Sequence, residues 1–286
     1  MLAVLSALGA AALSGLTPVI LKRPSERYPA FALNAIKLSS GFLAVSLLVA
    51  ALDPGWFLHI SPRAWLLGFL GAMLGPVAAW FFYLKAMRGM DVSLVSPGVN
   101  SYPPLAILVD FMVYSVVPRP LSMVAAAIIL AGIWLLYMDS PKTIQTRKSW
   151  VFAGLTAVSW GVNNVVFKTL SHEAPLMTAV WLRVFFASVI VVSVALAFYW
   201  KGIRGISLRD WGRIAAAGVL HDAGSAFLFI NALKIGQIYV VSPISSTSPL
   251  FAAILSGMFL GERIGWLRWA GIALTVLGIA LMSLLR

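Results

Sequence analysis

Ten apolar runs, each of roughly 20 residues, leave this chain few ways to fold. They lie at about 2 to 21, 31 to 52, 64 to 84, 92 to 115, 121 to 138, 150 to 170, 177 to 199, 209 to 232, 238 to 260 and 266 to 285. At 1.5 Å rise per residue, a helix of about 20 residues crosses a hydrocarbon core about 30 Å thick. The alternation of about 10 residues that marks a membrane barrel is absent. Composition agrees: 61% of the 286 residues are hydrophobic and 10% are charged, against about 45 to 50% and about a quarter in soluble domains. The expected fold class is an all-α integral membrane protein with ten transmembrane helices.

An offset of 146 residues superposes the two halves without a gap from Gly15 to beyond Gly132. Gly15 meets Gly161, Lys22 meets Lys168, Pro29 meets Pro175 and Lys37 meets Arg183. Further on, Trp65 meets Trp211, Ser96 meets Ser242, Pro97 meets Pro243, Pro103 meets Pro249 and Gly132 meets Gly278. Prolines, a tryptophan and an intramembrane cation matched at one spacing indicate duplication. The expected organisation is a first repeat over 1–140, a linker over 141–149 and a second repeat over 150–286. Five is odd, so the second repeat enters the membrane from the opposite side, and inverted repeats of this kind recur in secondary transporters.

The net charge of +12 does not point to nucleic acid, because the basic residues are scattered between apolar runs. They read as anchors and topology signals. The loops after odd-numbered runs carry fourteen of the 21 Lys and Arg and the opposite side carries five, which puts both termini outside. A chain without cysteine has no thiol chemistry. His59, His172 and His221 are too scattered to suggest a metal site, and no phosphate loop or HExxH pattern occurs. The first run lacks a basic n-region and reads as a retained helix.

Several residues stand out because lipid makes them costly. Val95–Pro103 and Val241–Pro249 each hold two prolines with polar residues between them, a composition tolerated mainly where backbone lines a cavity. Pro97, Pro103, Pro243 and Pro249 are candidate hinges, with Asn100, Tyr102 and Ser246 as candidate cavity linings. Lys37 and Arg183 lie about six residues into their runs, roughly 9 Å deep, where an ionisable group either faces a cavity or partner or snorkels to the headgroups. Asp222, beside His221, falls near the middle of the eighth run, where the first half has Gly75 and Pro76. It can pair with Arg183 or Lys37, or exchange protons and so couple transport to them. Asp110 reads as an interfacial residue.

Asn163 and Asn164 follow Trp160 and Gly161 in the sixth run and suit either a ligand or a neighbouring helix. Ser225, three residues after Asp222, would share its face on an α-helix. Trp160 and Tyr102 stand deep enough for contact with a substrate or for packing. Trp56, Trp65, Trp150, Trp200, Trp211 and Trp266 read as belt residues. Glycines at 71 and 75, and at 257, 261 and 265, have the spacing of close helix approach.

The stretch SPISSTSPLFAAILSGMFLGERIGWLRWAGIALTVLGIAL, from Ser242 to Leu281, resembles the C-terminal part of a repeat of the EamA family in the drug/metabolite transporter superfamily. Leu260, Gly261, Glu262 and Arg263 carry the family's LGE pattern, which Tyr114, Ser115 and Val116 replace in the first half. The resemblance extends over nearly the whole chain and implies ten helices in two repeats. It also implies transport of metabolites such as amino acids, sugars or drugs, often outward. The expected function is therefore secondary export of a small polar metabolite, such as an amino acid, across the plasma membrane by alternating access. Exchange of organic anions or phosphorylated metabolites is the alternative in the same class. A membrane-embedded lipid-modifying enzyme is the alternative in another, with His221 and Asp222 its only approach to a catalytic pair; a channel suits an inverted repeat least. Expected partners are the small-molecule substrate, the bilayer and a proton if Asp222 titrates. No nucleic acid or cofactor is expected, and the chain is expected to act as a monomer.

Overall fold

Where no water reaches the backbone, a chain satisfies its peptide groups by coiling, and helix is the regular structure found among the described residues. A computed structural model describes residues 1–52, 55, 60–87, 98–138, 147–260 and 265–284. Helices α1 (Leu2–Arg27) and α2 (Ala30–Leu52) are followed by α3 (Pro62–Ala72) and α4 (Trp80–Met87), then α5 (Pro103–Tyr114) and α6 (Pro120–Met138). The remainder comprises α7 (Arg147–Glu173), α8 (Leu176–Arg204), α9 (Leu208–Gly218), α10 (Ala226–Ile235), α11 (Ile238–Ser245), α12 (Ser248–Leu260) and α13 (Trp266–Leu284). Among the described residues, eight helical stretches are long and apolar enough to cross a membrane, and Pro120–Leu136 is a shorter apolar helix. The run expected at 92 to 115 lies partly outside the described residues, as do Pro97, Trp56, His59, most of the expected linker and the Gly261–Arg263 part of the LGE pattern.

Local chemistry sets the helix starts. Ser61 accepts a hydrogen bond from the Ala64 amide and Pro62 follows it, so α3 begins with one orphan donor capped and one removed. Ser207 accepts from the Asp210 amide in the same way at the start of α9. Both helices then widen into a π-helical turn, Met73–Ala79 after α3 and Val219–Ser225 after α9. Pro76 accounts for the first, since it lacks an N–H and its ring crowds the carbonyl four residues back. The second turn has Asp222 at the corresponding place and keeps the widened coil although no proline demands it.

Helices of the first half pack chiefly on helices of the second. The most extensive contact joins α6 to α13, followed by α2 with α8 and α1 with α12. The α5–α7 crossing has the same place in the first half's arrangement as α12–α1 in the second. Small residues make these approaches close. A Cβ added to Gly278 would lie 2.7 Å from the Ile129 side chain and 2.9 Å from its amide, a separation that only glycine allows. Gly71 and Gly75 serve the same purpose against Phe167 and Asn163 of α7, the close approach within the protein that their spacing suggested.

Trp65 departs from the belt reading. It packs edge-on against Trp181, Phe185 and Phe186 of α8, because α3 crosses α8 where those rings lie. Trp200, Trp211 and Trp266 are exposed on the surface of the bundle, and Trp150 stacks on Trp134.

Candidate functional site

Two glycines bring α2 onto α9 and the turn that follows it. A Cβ on Gly41 would stand 2.6 Å from the Asp222 Cβ, and one on Gly218 would strike the Lys37 carbonyl. Ser40 fastens the same approach by donating to the Ala215 carbonyl at 3.1 Å. Lys37 lies one turn before Gly41, so this contact lays its side chain along Asp222. The Lys37 Nζ donates to Asp222 Oδ2 at 2.6 Å, with only 9% and 2% of the two side chains exposed. Lys37 therefore does not snorkel to the headgroups.

Arg183 approaches Asp222 from α8. Its Nη1 is 4.0 Å from Asp222 Oδ1, close enough for attraction and too far for a hydrogen bond. The guanidinium lies 5.7 Å from the centre of the Phe167 ring, and Nη1 is buried with no hydrogen-bond partner among the described residues. Two cations thus share one carboxylate, and the second retains an unspent donor. A guanidinium in this condition is suited to the paired oxygens of a carboxylate or phosphate. His221, next in the chain to Asp222, has its Nδ1 buried without a partner among the described residues.

One face of α7 continues the site away from Arg183, with Phe167, Asn163, Asn164 and Trp160 at helical spacing. Asn163 is 5% exposed, and its Oδ1 is buried without a partner among the described residues. Asn164 is engaged: its Nδ2 donates to the Trp160 carbonyl at 2.7 Å and its Oδ1 accepts from Ser242 Oγ at 2.6 Å, tying α7 to α11. Tyr102 adds a third strand to that knot through its hydroxyl, which donates to the Ser242 carbonyl at 3.3 Å. Tyr102 and Tyr83 both pack against the Trp160 ring, with centroids 6.0 and 6.4 Å away, and Trp80 lies 5.4 Å from Tyr83. Asn100 is buried at the end of the short helical stretch 98–100 that precedes α5.

Two expectations change. Ser225 does not share the face of Asp222: it donates to the Ala10 carbonyl at 2.8 Å and pairs with Ser14, both on α1. The spacing rule fails because both residues sit in the π-helical turn, whose wider coil rotates a residue three places on to another side. Ser246, fully buried, spends its hydroxyl on the Pro243 carbonyl at 2.8 Å, and Thr247 does the same for Ile244 at 2.6 Å. The Ile244 carbonyl also takes the Thr247 amide at 3.1 Å, while the Ser246 bond supplies a donor to the Pro243 carbonyl where the chain breaks between α11 and α12, so in this conformation Ser246 supports the break. Of the proposed hinges, Pro243 lies inside α11, while Pro103 and Pro249 occupy the first turns of α5 and α12 and so start the helices that follow a break.

A second buried ion pair was not foreseen. Lys168 Nζ donates to Asp110 Oδ1 at 2.7 Å, with 10% and 2% of the side chains exposed. Asp110 is thus buried against α7, and Lys168 lies within that helix. Both stand near the ends of their runs, where sequence alone does not say which face looks inward.

A family model, the EamA-like transporter family, matches residues 1–138 and again 148–284. A Bacillus subtilis protein named as an uncharacterized transporter is 28% identical over 276 residues, covering 94% of this chain and 89% of that one. An uncharacterized transporter of Archaeoglobus fulgidus is 25% identical over 223 residues, 75% of this chain and 74% of that one. A crystal structure superposes with a TM-score of 0.83 over 99% of this chain and 96% of its own, at 19% identity, a likeness of fold alone. Two matches to one family model, spanning nearly all of a chain whose helices are long and apolar enough for a bilayer, place this multi-pass membrane protein in the EamA-like transporter family, within the drug/metabolite transporter superfamily.

Proposed function

We propose that this protein is a secondary transporter that exports a small polar metabolite carrying a carboxylate, such as an amino acid, across the plasma membrane by alternating access. The observation that carries the reading is the buried cluster of Lys37, Asp222 and Arg183, in which Arg183 keeps a donor unspent. Buried charge at this depth is costly unless it serves a ligand or a pathway. The substrate carboxylate meets Arg183, and the rest of the molecule extends along α7 past Asn163 toward Trp160.

The architecture proposed is ten helices in two inverted five-helix repeats, with the cavity where they meet and both termini outside. Two features support it: the π-helical turns fall at one offset, and each half packs mainly on the other. The breaks around Pro243, Pro249 and Pro103 act as hinges and linings. Asp222 is the proposed proton-coupling carboxylate, released when Lys37 or Arg183 is drawn to the substrate.

The pairing of Lys37 with Asp222 favours a second reading, exchange of organic anions or phosphorylated metabolites, because the charge left over is positive. Counterflow in proteoliposomes separates the two. Proteoliposomes holding the purified protein are loaded with unlabelled neutral amino acids, dicarboxylates or sugar phosphates and assayed with the labelled compound outside. S-adenosylmethionine belongs in the panel: a Rickettsia conorii protein named as its uptake transporter is 29% identical over 140 residues, 49% of this chain and 45% of that one. Its amino-acid head group would suit Arg183. Accumulation of amino acids but not of dicarboxylates or sugar phosphates supports the first reading, the reverse supports the second, and counterflow of none refutes both. Asp222→Asn should abolish proton-driven accumulation while sparing exchange; if both survive, Asp222 is not the coupling group.

A further inference from the structure

Asn163 carries an unspent group whose chemistry is the reverse of that on Arg183. Among the described residues, its Oδ1 is the one buried, unpartnered side-chain atom that can only accept a hydrogen bond. A buried acceptor left without a donor costs about 1 to 3 kcal/mol, and such groups are few in native structures. The surrounding packing shows how this one is held. The Asn163 amide nitrogen lies against Gly75 of the first π-helical turn, where an added Cβ would collide with it, so Oδ1 is turned away from that turn. One helical turn along α7, the Phe167 ring reaches Gly71 in the same manner, 2.5 Å from an added Cβ, and Arg183 lies over that ring. The acceptor is thus one turn of α7, about 6 Å, from the ring that the guanidinium covers.

The neighbours of Asn163 spend their polar groups within their own helices. Asn164 donates to the Trp160 carbonyl at 2.7 Å. Thr17, the counterpart of Asn163 at the offset of 146, is also buried and donates to the Leu13 carbonyl at 3.0 Å. The counterpart of Gly75 is His221. In the first half a glycine makes room for an amide, and in the second a histidine stands in the turn and a short hydroxyl serves α1. A polar residue at this level of the bundle can therefore be buried without an orphaned oxygen, and Asn163 is not.

We infer that Asn163 is the residue that selects for an amine: its Oδ1 accepts an N–H from the substrate whose carboxylate lies on Arg183, so the site takes α-amino acids and discriminates against the 2-oxo and des-amino acids of the same skeleton. The inference rests on the transporter reading above. A molecule with carboxylate and amine on one carbon offers each group a hydrogen bond of about 2.9 Å. A 2-oxo acid brings a second acceptor to Oδ1, and a des-amino acid brings no polar group at all. Either leaves Oδ1 unpaired, and a site built around a substrate N–H rejects such analogues far more strongly than an apolar pocket rejects a missing methylene.

Calorimetric titration of the purified protein in micelles tests this, with each standard amino acid and the 2-oxo and des-amino acids of the same skeleton as probes. An amino acid should bind about tenfold or more tighter than its two analogues. Asn163→Leu, close in size, should weaken the amino acid by that factor and leave the des-amino acid unchanged or tighter, so that the ratio collapses. Asn163→Thr installs the residue already carried at the counterpart position, so it serves where the leucine variant folds poorly, and it should collapse the ratio too. An asparagine with a structural role alone would weaken all three probes alike. That result, equal affinities in the parent, a preference for the 2-oxo acid, or a ratio that survives both substitutions overturns the inference and leaves the carboxylate on Arg183 standing. Binding of no probe refutes the transporter reading, and the inference falls with it.

Discussion

Asp222 holds two cations inside the bundle, and removing its charge should be measurable as stability. At 2.6 Å and an effective dielectric of about 20, its attraction to Lys37 is roughly 6 kcal/mol. Arg183 at 4.0 Å adds roughly 4 kcal/mol on the same basis. These gross terms are largely offset by the cost of taking three charges out of water. What survives is the penalty for leaving cations buried without their carboxylate, about 3 to 5 kcal/mol in comparable pairs. Asp222→Asn is nearly isosteric and leaves little cavity, so that penalty should appear almost alone. Equilibrium unfolding in mixed micelles gives the measurement, and a double-mutant cycle sharpens it. Lys37→Met and Asp222→Leu should each destabilise, while the two together should recover part of the loss, with a coupling of about 2 to 3 kcal/mol. A loss below about 1 kcal/mol in Asp222→Asn, or strict additivity in the cycle, would refute the claim that the pair is dry and mutually dependent.

Arg183→Lys keeps the charge but removes the planar fork, so the half-saturating substrate concentration should rise about tenfold or more with little change in folding; an unchanged value excludes a paired contact to the carboxylate. Pro243→Ala restores an N–H within α11 and should slow turnover several-fold while the half-saturating concentration stays within about twofold. The opposite pattern in transport kinetics would make Pro243 a binding element rather than a hinge. Gly278→Ala forces a methyl against Ile129 and should cost about 1 to 3 kcal/mol in the same micelle unfolding assay. Gly212→Ala, where nothing lies within 4 Å, is its control and should be neutral or stabilising.

The sequence alone determined that the chain is helical and membrane-embedded, because lipid forbids unsatisfied backbone and leaves apolar runs of spanning length as the signature. It also singled out Lys37, Arg183 and Asp222, since a charge within such a run is too costly to be incidental. Pairing was another matter. Either cation could have taken Asp222, and the choice of Lys37 was made by Gly41 and Gly218, whose missing side chains let α2 press against α9. The pairing of Asp110 with Lys168 was not foreseen because each stands near the end of a run, and depth along a helix does not tell which way a residue faces. Ser225 was assigned the wrong face because spacing rules assume an α-helix and the coil there is π-helical. The hydroxyl of Ser246 looked available for a ligand until the break between α11 and α12 gave it a carbonyl to satisfy. Burial energy is written in composition and can be read one residue at a time. The partner of a buried polar group depends on which backbones approach closely enough to touch, and only the packed bundle decides that.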